Sequence, residues 1–201
     1  MSLDQKYFDN LYEEFDDPWR LASGWYESRK RALTMGILPH ERYTNALEIG
    51  CSIGLLTELL APRCDRLLAT DISARPLEVA QHRLASAQGV EFETRQAPHD
   101  WPGGRFDLIV ISEVGYYLDE DSVRLLAERS ASSLTDGGVI VACHWRHPVA
   151  DYPLGGDRVH DLLAAASGLI PVATYVDDDF ALEVLSIGGM PSVASLEGLT
   201  P

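Results

Sequence analysis

Apolar positions along the chain follow two rhythms that alternate. Tyr7, Phe8, Leu11, Tyr12 and Phe15 recur at helical spacing and predict a short amphipathic helix, closed by Asp16-Asp17-Pro18. A second helix is expected over 25–38, ending before Pro39. Compact apolar runs at 45–49, 66–70, 90–93, 106–111 and 139–143 then predict buried strands with helical segments between them. Ser73 with Pro76 behind it marks a helix start, and Asp136-Gly137-Gly138 a turn into the fifth strand. Strand and helix in alternation imply a parallel sheet covered on both faces. The last two runs, 172–176 and 180–187, are joined only by Asp177-Asp178-Asp179, too short for a crossover, so they should pair antiparallel. The pattern therefore predicts a three-layer α/β sandwich with a seven-stranded, mostly parallel sheet and an antiparallel last strand.

With 201 residues, 46% of them hydrophobic and 23% charged, one core is favoured over two. The division expected is a single domain over 1–201, with a helical cap at 1–40 and an α/β core at 41–190. Acids outnumber bases 31 to 16, giving a net charge of -15 that repels nucleic-acid phosphates and anionic membrane surfaces. Small molecules become the expected partners, and no nucleic acid or membrane is predicted. From Asp151 onward eight acids face one base, Arg158, a surplus that would favour a cationic substrate. Cys51, Cys64 and Cys143 are too few and scattered for a disulfide framework or a metal site. Residues 1–10 contain no apolar signal core and no run of about eighteen apolar residues occurs, so a cytoplasmic location is expected.

The stretch Ala46-Leu47-Glu48-Ile49-Gly50-Cys51-Ser52-Ile53-Gly54 ends a strand and opens a helix, where backbone N–H groups face an approaching ligand. A dinucleotide fingerprint requires a third glycine at position 55, and Leu55 stands there, which disfavours a nicotinamide dehydrogenase. No Gly-Lys-Ser or Gly-Lys-Thr follows, so nothing would grip β- and γ-phosphates. Asp71, at the end of the second strand, can accept both hydroxyls of a ribose in the crevice.

This segment resembles the class I methyltransferases, Rossmann-like proteins in which Glu-x-Gly-x-Gly-x-Gly wraps the amino-acid part of S-adenosylmethionine. Glu48, Gly50 and Gly54 match, and Ser52 stands where the middle glycine is usual. The resemblance implies that Gly50, Cys51, Ser52 and Gly54 hold the amino-acid part, and that Asp71, Ile72 and Ser73 border the ribose. It sets Gln96, Ala97 and Pro98 beside the adenine, with an amide replacing the usual acid, and Ser112 and Glu113 beside the methionine end. Tyr116 and Tyr117 follow in that loop, as core aromatics or as site residues.

From about Tyr7 to Gly189 the chain looks like the nodulation protein S family, N-methyltransferases of amino-sugar oligomers. The likeness is carried by Asp17-Pro18-Trp19-Arg20, by Trp25-Tyr26-Glu27, by 46–57, and by 112–118 with His144-Trp145. It implies methylation of the free amine of a deacetylated, cationic amino sugar. Methyl transfer needs alignment rather than a covalent nucleophile, and an amine must lose a proton before it attacks. Candidates to take it are His144, Asp151, Tyr116 and Tyr117, with Trp145, His147 and His160 expected to face the substrate from a loop after the fifth strand. Trp19 and Arg20 are expected to close the site as a lid, Arg20 clamping the cofactor carboxylate. An O-methyltransferase on a hydroxylated small molecule and a non-catalytic S-adenosylmethionine-binding protein remain alternatives.

Overall fold

The computed structural model describes residues 1–166 and 168–200. Its elements run α1 (Gln5–Glu14), α2 (Trp25–Ile37), β1 (Ala46–Ile49), α3 (Leu55–Leu60), β2 (Leu67–Asp71), α4 (Ala74–Arg83), β3 (Val90–Thr94), β4 (Phe106–Ser112), α5 (Glu120–Ser133), β5 (Leu134–Trp145), α6 (Gly156–Ala164), β6 (Leu169–Val176), β7 (Phe180–Ile187) and α7 (Val193–Leu196). Local chemistry sets the helix starts. The Asp4 carboxylate accepts from the Tyr7 N–H at 3.0 Å to open α1, and Asp119 accepts from the Ser122 N–H at 3.0 Å to open α5. Glu120 and Asp121 then meet the positive end of α5.

One sheet carries all seven strands in the order β3-β2-β1-β4-β5-β7-β6. β1 to β5 are parallel, and β7 runs antiparallel to both β5 and β6. The architecture is a Rossmann-like three-layer α/β sandwich. The central strands are apolar on both faces: Leu47, Leu108, Ile109, Ile111, Ile140 and Val141 are fully buried under helices on either side. β6 and β7 meet through the acidic hairpin, where the Asp177 carboxylate accepts from the Asp179 N–H (2.9 Å) and the Phe180 N–H (3.0 Å).

Three expectations change. No helix joins β3 to β4; the connection is a run of turns and extended chain. β5 is much longer than 139–143, because Asp136-Gly137-Gly138 does not separate it from α5: the strand starts at Leu134 and absorbs the glycines in an irregularity opposite Phe106 and Leu108. β6 starts earlier than 172, with Pro171 accommodated where the edge register shifts. Among the described residues no helix is long and apolar enough to cross a membrane.

Candidate active site

At the C-terminal ends of β1, β2 and β4 the chain surrounds a cavity of about 440 Å³, the crevice where open α/β sheets bind ligands. The glycine turn forms its floor. Gly50 (φ 75°) and Gly54 (φ 80°) are left-handed, and a Cβ on them would lie 2.2 Å from Val114 Cγ2 and 2.8 Å from Ala80 Cβ. Ser52 is left-handed too, at φ 48°, which for a side chain with a Cβ costs about 1–2 kcal/mol. Two bonds hold it there. Its N–H donates to Asp71 Oδ2 at 2.9 Å, and its Oγ lies 2.6 Å from the Tyr12 hydroxyl of α1.

Asp71 also accepts the Ser73 N–H on Oδ1 at 3.0 Å. Burial pushes its carboxyl up to about 6 against the opposing pull of those N–H groups. A carboxylate has about four acceptor positions, so two remain for the hydroxyls of a ribose. Deeper still, Glu48 accepts from Thr57 Oγ1 at 2.7 Å, and burial raises it to about 7.

The opposite wall comes from the loop after β4 and from α2. Glu113 sits at φ 59°, and its Oε2 accepts from the Tyr116 hydroxyl and from the Trp145 N–H at 3.3 Å. Lys30 of α2, 4% exposed, has its Nζ 2.9 Å from Glu27 Oε1 and 3.1 Å from Glu113 Oε1. Burial pulls the ammonium down, yet Glu113 and Glu27 outweigh it and the net shift is upward. Arg31 presents its guanidinium beside them, anchored on the Leu21 carbonyl at 2.9 Å and 3.7 Å from Glu27 Oε2. Trp19 borders the cavity, edge-on to Tyr12 at 5.7 Å.

Of the residues expected at the cofactor, Trp19, Glu48, Gly50, Cys51, Ser52, Asp71, Ile72, Ala97, Ser112 and Glu113 line the cavity, and Gly54 supports its turn from behind. Arg20 does not: it is exposed, in a left-handed turn, and the arginines that line the cavity are Arg31 and Arg95. Gln96 is exposed and outside the cavity; its neighbours Arg95 and Ala97 line it. Pro98 is buried and does not line the cavity. The Ser73 hydroxyl is fully buried and committed to Asp9 Oδ1 at 2.6 Å, so only its backbone N–H serves the site.

The histidine loop expected after the fifth strand dissolves. His144 is an inward residue of β5, fully buried and away from the cavity, because the strand continues through Trp145 to pair with Phe180. Its Nε2 accepts the Gly115 N–H at 3.1 Å, which places the proton on Nδ1, facing His160 Nε2 at 3.2 Å. The proton of His160 is then on Nδ1, facing Glu183 Oε2 at 2.6 Å. His144 is thus a link in a buried chain, with its pKa pushed well below the usual value by burial, and His160 is the next link rather than a substrate contact. His147 is exposed and pairs with Asp179 at 2.9 Å; Asp151 is exposed outside the cavity. Tyr116 and Tyr117 do line the cavity, but burial pushes both phenols well above 10, so they hold their protons at neutral pH. Trp145 lines the cavity, edge-on to Tyr26 at 5.3 Å. Part of the acidic surplus after Asp151 is engaged away from the cavity: Asp157 pairs with Arg146 and Asp177 with Arg29, and Glu183 accepts from His160.

Tyr12, Tyr26, Glu27, Lys30, Arg31 and Arg95 line the cavity and were not expected there. The spacing Glu27, Lys30, Arg31 carried a faint signal, since i,i+3 and i,i+4 charges share a helix face, but exposed ion pairs look the same in sequence.

A glycine turn, a strand-end acid and a cavity closed by N-terminal helices together describe a nucleoside site, and the family model of nodulation protein S (NodS) matches residues 6–141. The chain belongs to that family. It is 32% identical over 128 residues to nodulation protein S of Sinorhizobium fredii, covering 63% of this chain and 59% of that protein. The aligned part is 54% of the Rhizobium tropici protein, so this chain matches only about half to three-fifths of its named relatives. Among solved structures it is similar to the N-methyltransferase NodS from Bradyrhizobium japonicum WM9 in complex with S-adenosyl-L-homocysteine, with TM-score 0.80 and 27% identity over 89% of this chain and 96% of that one. It is also similar to a candidate methyltransferase from Pseudomonas syringae, with TM-score 0.71 and 40% identity over 80% and 98%.

Proposed function

We propose that this chain is an S-adenosylmethionine-dependent methyltransferase whose acceptor is the free amine of a deacetylated amino sugar or its oligomer. The observation that carries the reading is the single cavity in which Asp71 and the glycine turn face Glu113 and Trp145. The cofactor's chemistry fits this lining. Asp71 has free acceptor positions for ribose hydroxyls, Gly50 removes the Cβ that would meet Val114, and Arg31 offers a bidentate partner to a carboxylate. Ile72 and Ala97 supply apolar surface for a purine.

When bound, S-adenosylmethionine supplies a methyl group already activated on a sulfonium. What remains for the chain is to align an amine, exclude water and receive a proton. Trp145 gives a sugar ring a flat face to stack on. Residues 1–40 act as the cap: the Leu3 N–H donates to the Tyr117 carbonyl at 2.8 Å, and α1 reaches the glycine turn through Tyr12.

The test pairs binding with turnover. Calorimetry with S-adenosylhomocysteine should give a Kd in the micromolar range, and labelled S-adenosylmethionine should methylate chitosan oligomers but not their fully acetylated counterparts. Equal labelling of both, or of hydroxylated acceptors alone, would overturn the amine assignment.

A further inference from the structure

Three buried side-chain polar atoms lack a hydrogen-bond partner among the described residues: Tyr26 Oη, Glu113 Oε1 and Ser130 Oγ. Two of them belong to residues on the same cavity wall. Buried polar atoms are nearly always satisfied; on this wall Tyr26 Oη has no partner and Glu113 Oε1 has only the Lys30 ammonium, 3.1 Å away, as an ionic neighbour, so both retain capacity for a partner that the chain does not supply.

The setting narrows what that partner is. Lys30 Nζ is 3.1 Å from Glu113 Oε1 but not aligned to donate to it, its hydrogen bond going to Glu27 Oε1. The same ammonium lies 5.0 Å from the centre of the Tyr26 ring, so Tyr26 and Glu113 flank one charge. Glu113 is held in the left-handed region, at φ 59°, a conformation that persists only where the surroundings enforce it. Tyr116 and Trp145 do so by donating to its other oxygen, leaving Oε1 turned toward Lys30 and Tyr26. Glu113 is also the more open acid on this wall, its side chain 22% exposed against 12% for Glu27.

We propose that Glu113 and Tyr26 form the acceptor subsite, taking a protonated primary amine that carries a nearby oxygen, the ammonium on Glu113 and the oxygen on the Tyr26 hydroxyl. This rests on the methyltransferase reading above and gives its acceptor a place. In the proton transfer an N–H bond of the ammonium breaks, its electron pair stays on nitrogen and the proton passes to the Glu113 carboxylate. Tyr116 keeps its own proton and orients the carboxylate.

The test uses the full chain loaded with S-adenosylhomocysteine, titrated calorimetrically with chitosan tetramer and with cyclohexylamine, an amine without oxygen. Glu113→Gln keeps the shape and removes the charge; it should weaken the tetramer about tenfold or more while S-adenosylhomocysteine affinity stays within about twofold. Tyr26→Phe should weaken the tetramer several-fold and leave cyclohexylamine unchanged. With methyl donor present, Glu113→Gln should lower kcat as well as raise KM, whereas Tyr26→Phe should act on KM. Unchanged tetramer binding in Glu113→Gln would overturn the subsite. So would an equal loss of S-adenosylhomocysteine affinity, which would assign the carboxylate to the cofactor's own ammonium. A parent chain that binds S-adenosylhomocysteine but no amine overturns the subsite alone; one that binds neither overturns the methyltransferase reading with it.

Discussion

The Tyr12 hydroxyl of α1 lies 2.6 Å from the Oγ of Ser52, at the left-handed tip of the glycine turn. The N-terminal helix is thereby tied to the residue that departs from the usual glycine. The serine costs backbone strain and in return gives the cap a polar anchor beside the cofactor crevice.

That coupling is measurable. Tyr12→Phe should cost about 1 kcal/mol of stability, and Ser52→Gly should come out within about 1 kcal/mol of the parent because relieved strain offsets the lost bond. In the Ser52→Gly background Tyr12→Phe should cost close to nothing. Urea unfolding of the four proteins in the cycle reads the coupling; purely additive effects would mean that the two hydroxyls do not interact.

Asp71 should give cofactor binding a pH dependence. Its carboxyl is raised to about 6 by burial, so below that pH it is increasingly protonated and loses acceptor capacity for ribose hydroxyls. S-Adenosylhomocysteine affinity should be flat above about pH 7 and fall toward tenfold per unit below about 6. Asp71→Asn should bind weakly and lose that slope. Calorimetry at several pH values checks it, and a slope that survives in the variant assigns the titration elsewhere.

Glu48 acts on stability with the opposite sign. Its folded value, about 7, lies above the ordinary 4.5, so the folded state prefers the protonated form. Its contribution is complete below about pH 4.5 and is lost as the pH rises through 7, by about 1.4 kcal/mol per unit at most. Glu48→Gln should therefore be less sensitive to a rise from pH 5 to 8 than the parent. Parallel unfolding profiles for the two would refute the assignment.

The chain Glu183, His160, His144 and the Gly115 N–H holds the loop behind Tyr116 from within the core. His144→Leu leaves the Gly115 N–H and the His160 ring without partners and should cost about 2–5 kcal/mol, seen as a lower Tm. The folded pKa of His144 is depressed, so its contribution is present above about 6.5 and lost as the pH falls. Acid destabilisation below that pH should be shallower in the variant. A Tm within a degree of the parent would mean that the buried chain carries no stability.

Short-range chemistry was legible in the sequence. The glycine turn depends on residues a few positions apart whose φ must be positive, and the hairpin depends on a joint too short for a crossover, so Gly50, Gly54, Asp71 and the antiparallel β7 could be read from the chain. The layers and the alternation of strand and helix followed from periodicity, which reports burial along one element, whereas the strand order is set by pairing across the sheet. Where an element ends is different, because pairing settles it: β5 carries on to Trp145 because β7 lies alongside, and this turns His144 from a loop base into an interior link. Which charges meet across the cavity is settled by packing alone. Nothing local sets Arg31 rather than Arg20 on the crevice, or brings Lys30 between Glu27 and Glu113; α2 must first lie over the loop after β4. The glycine turn proposed to hold the cofactor is encoded by neighbours in sequence, whereas the wall proposed to meet the acceptor exists only once distant elements have packed.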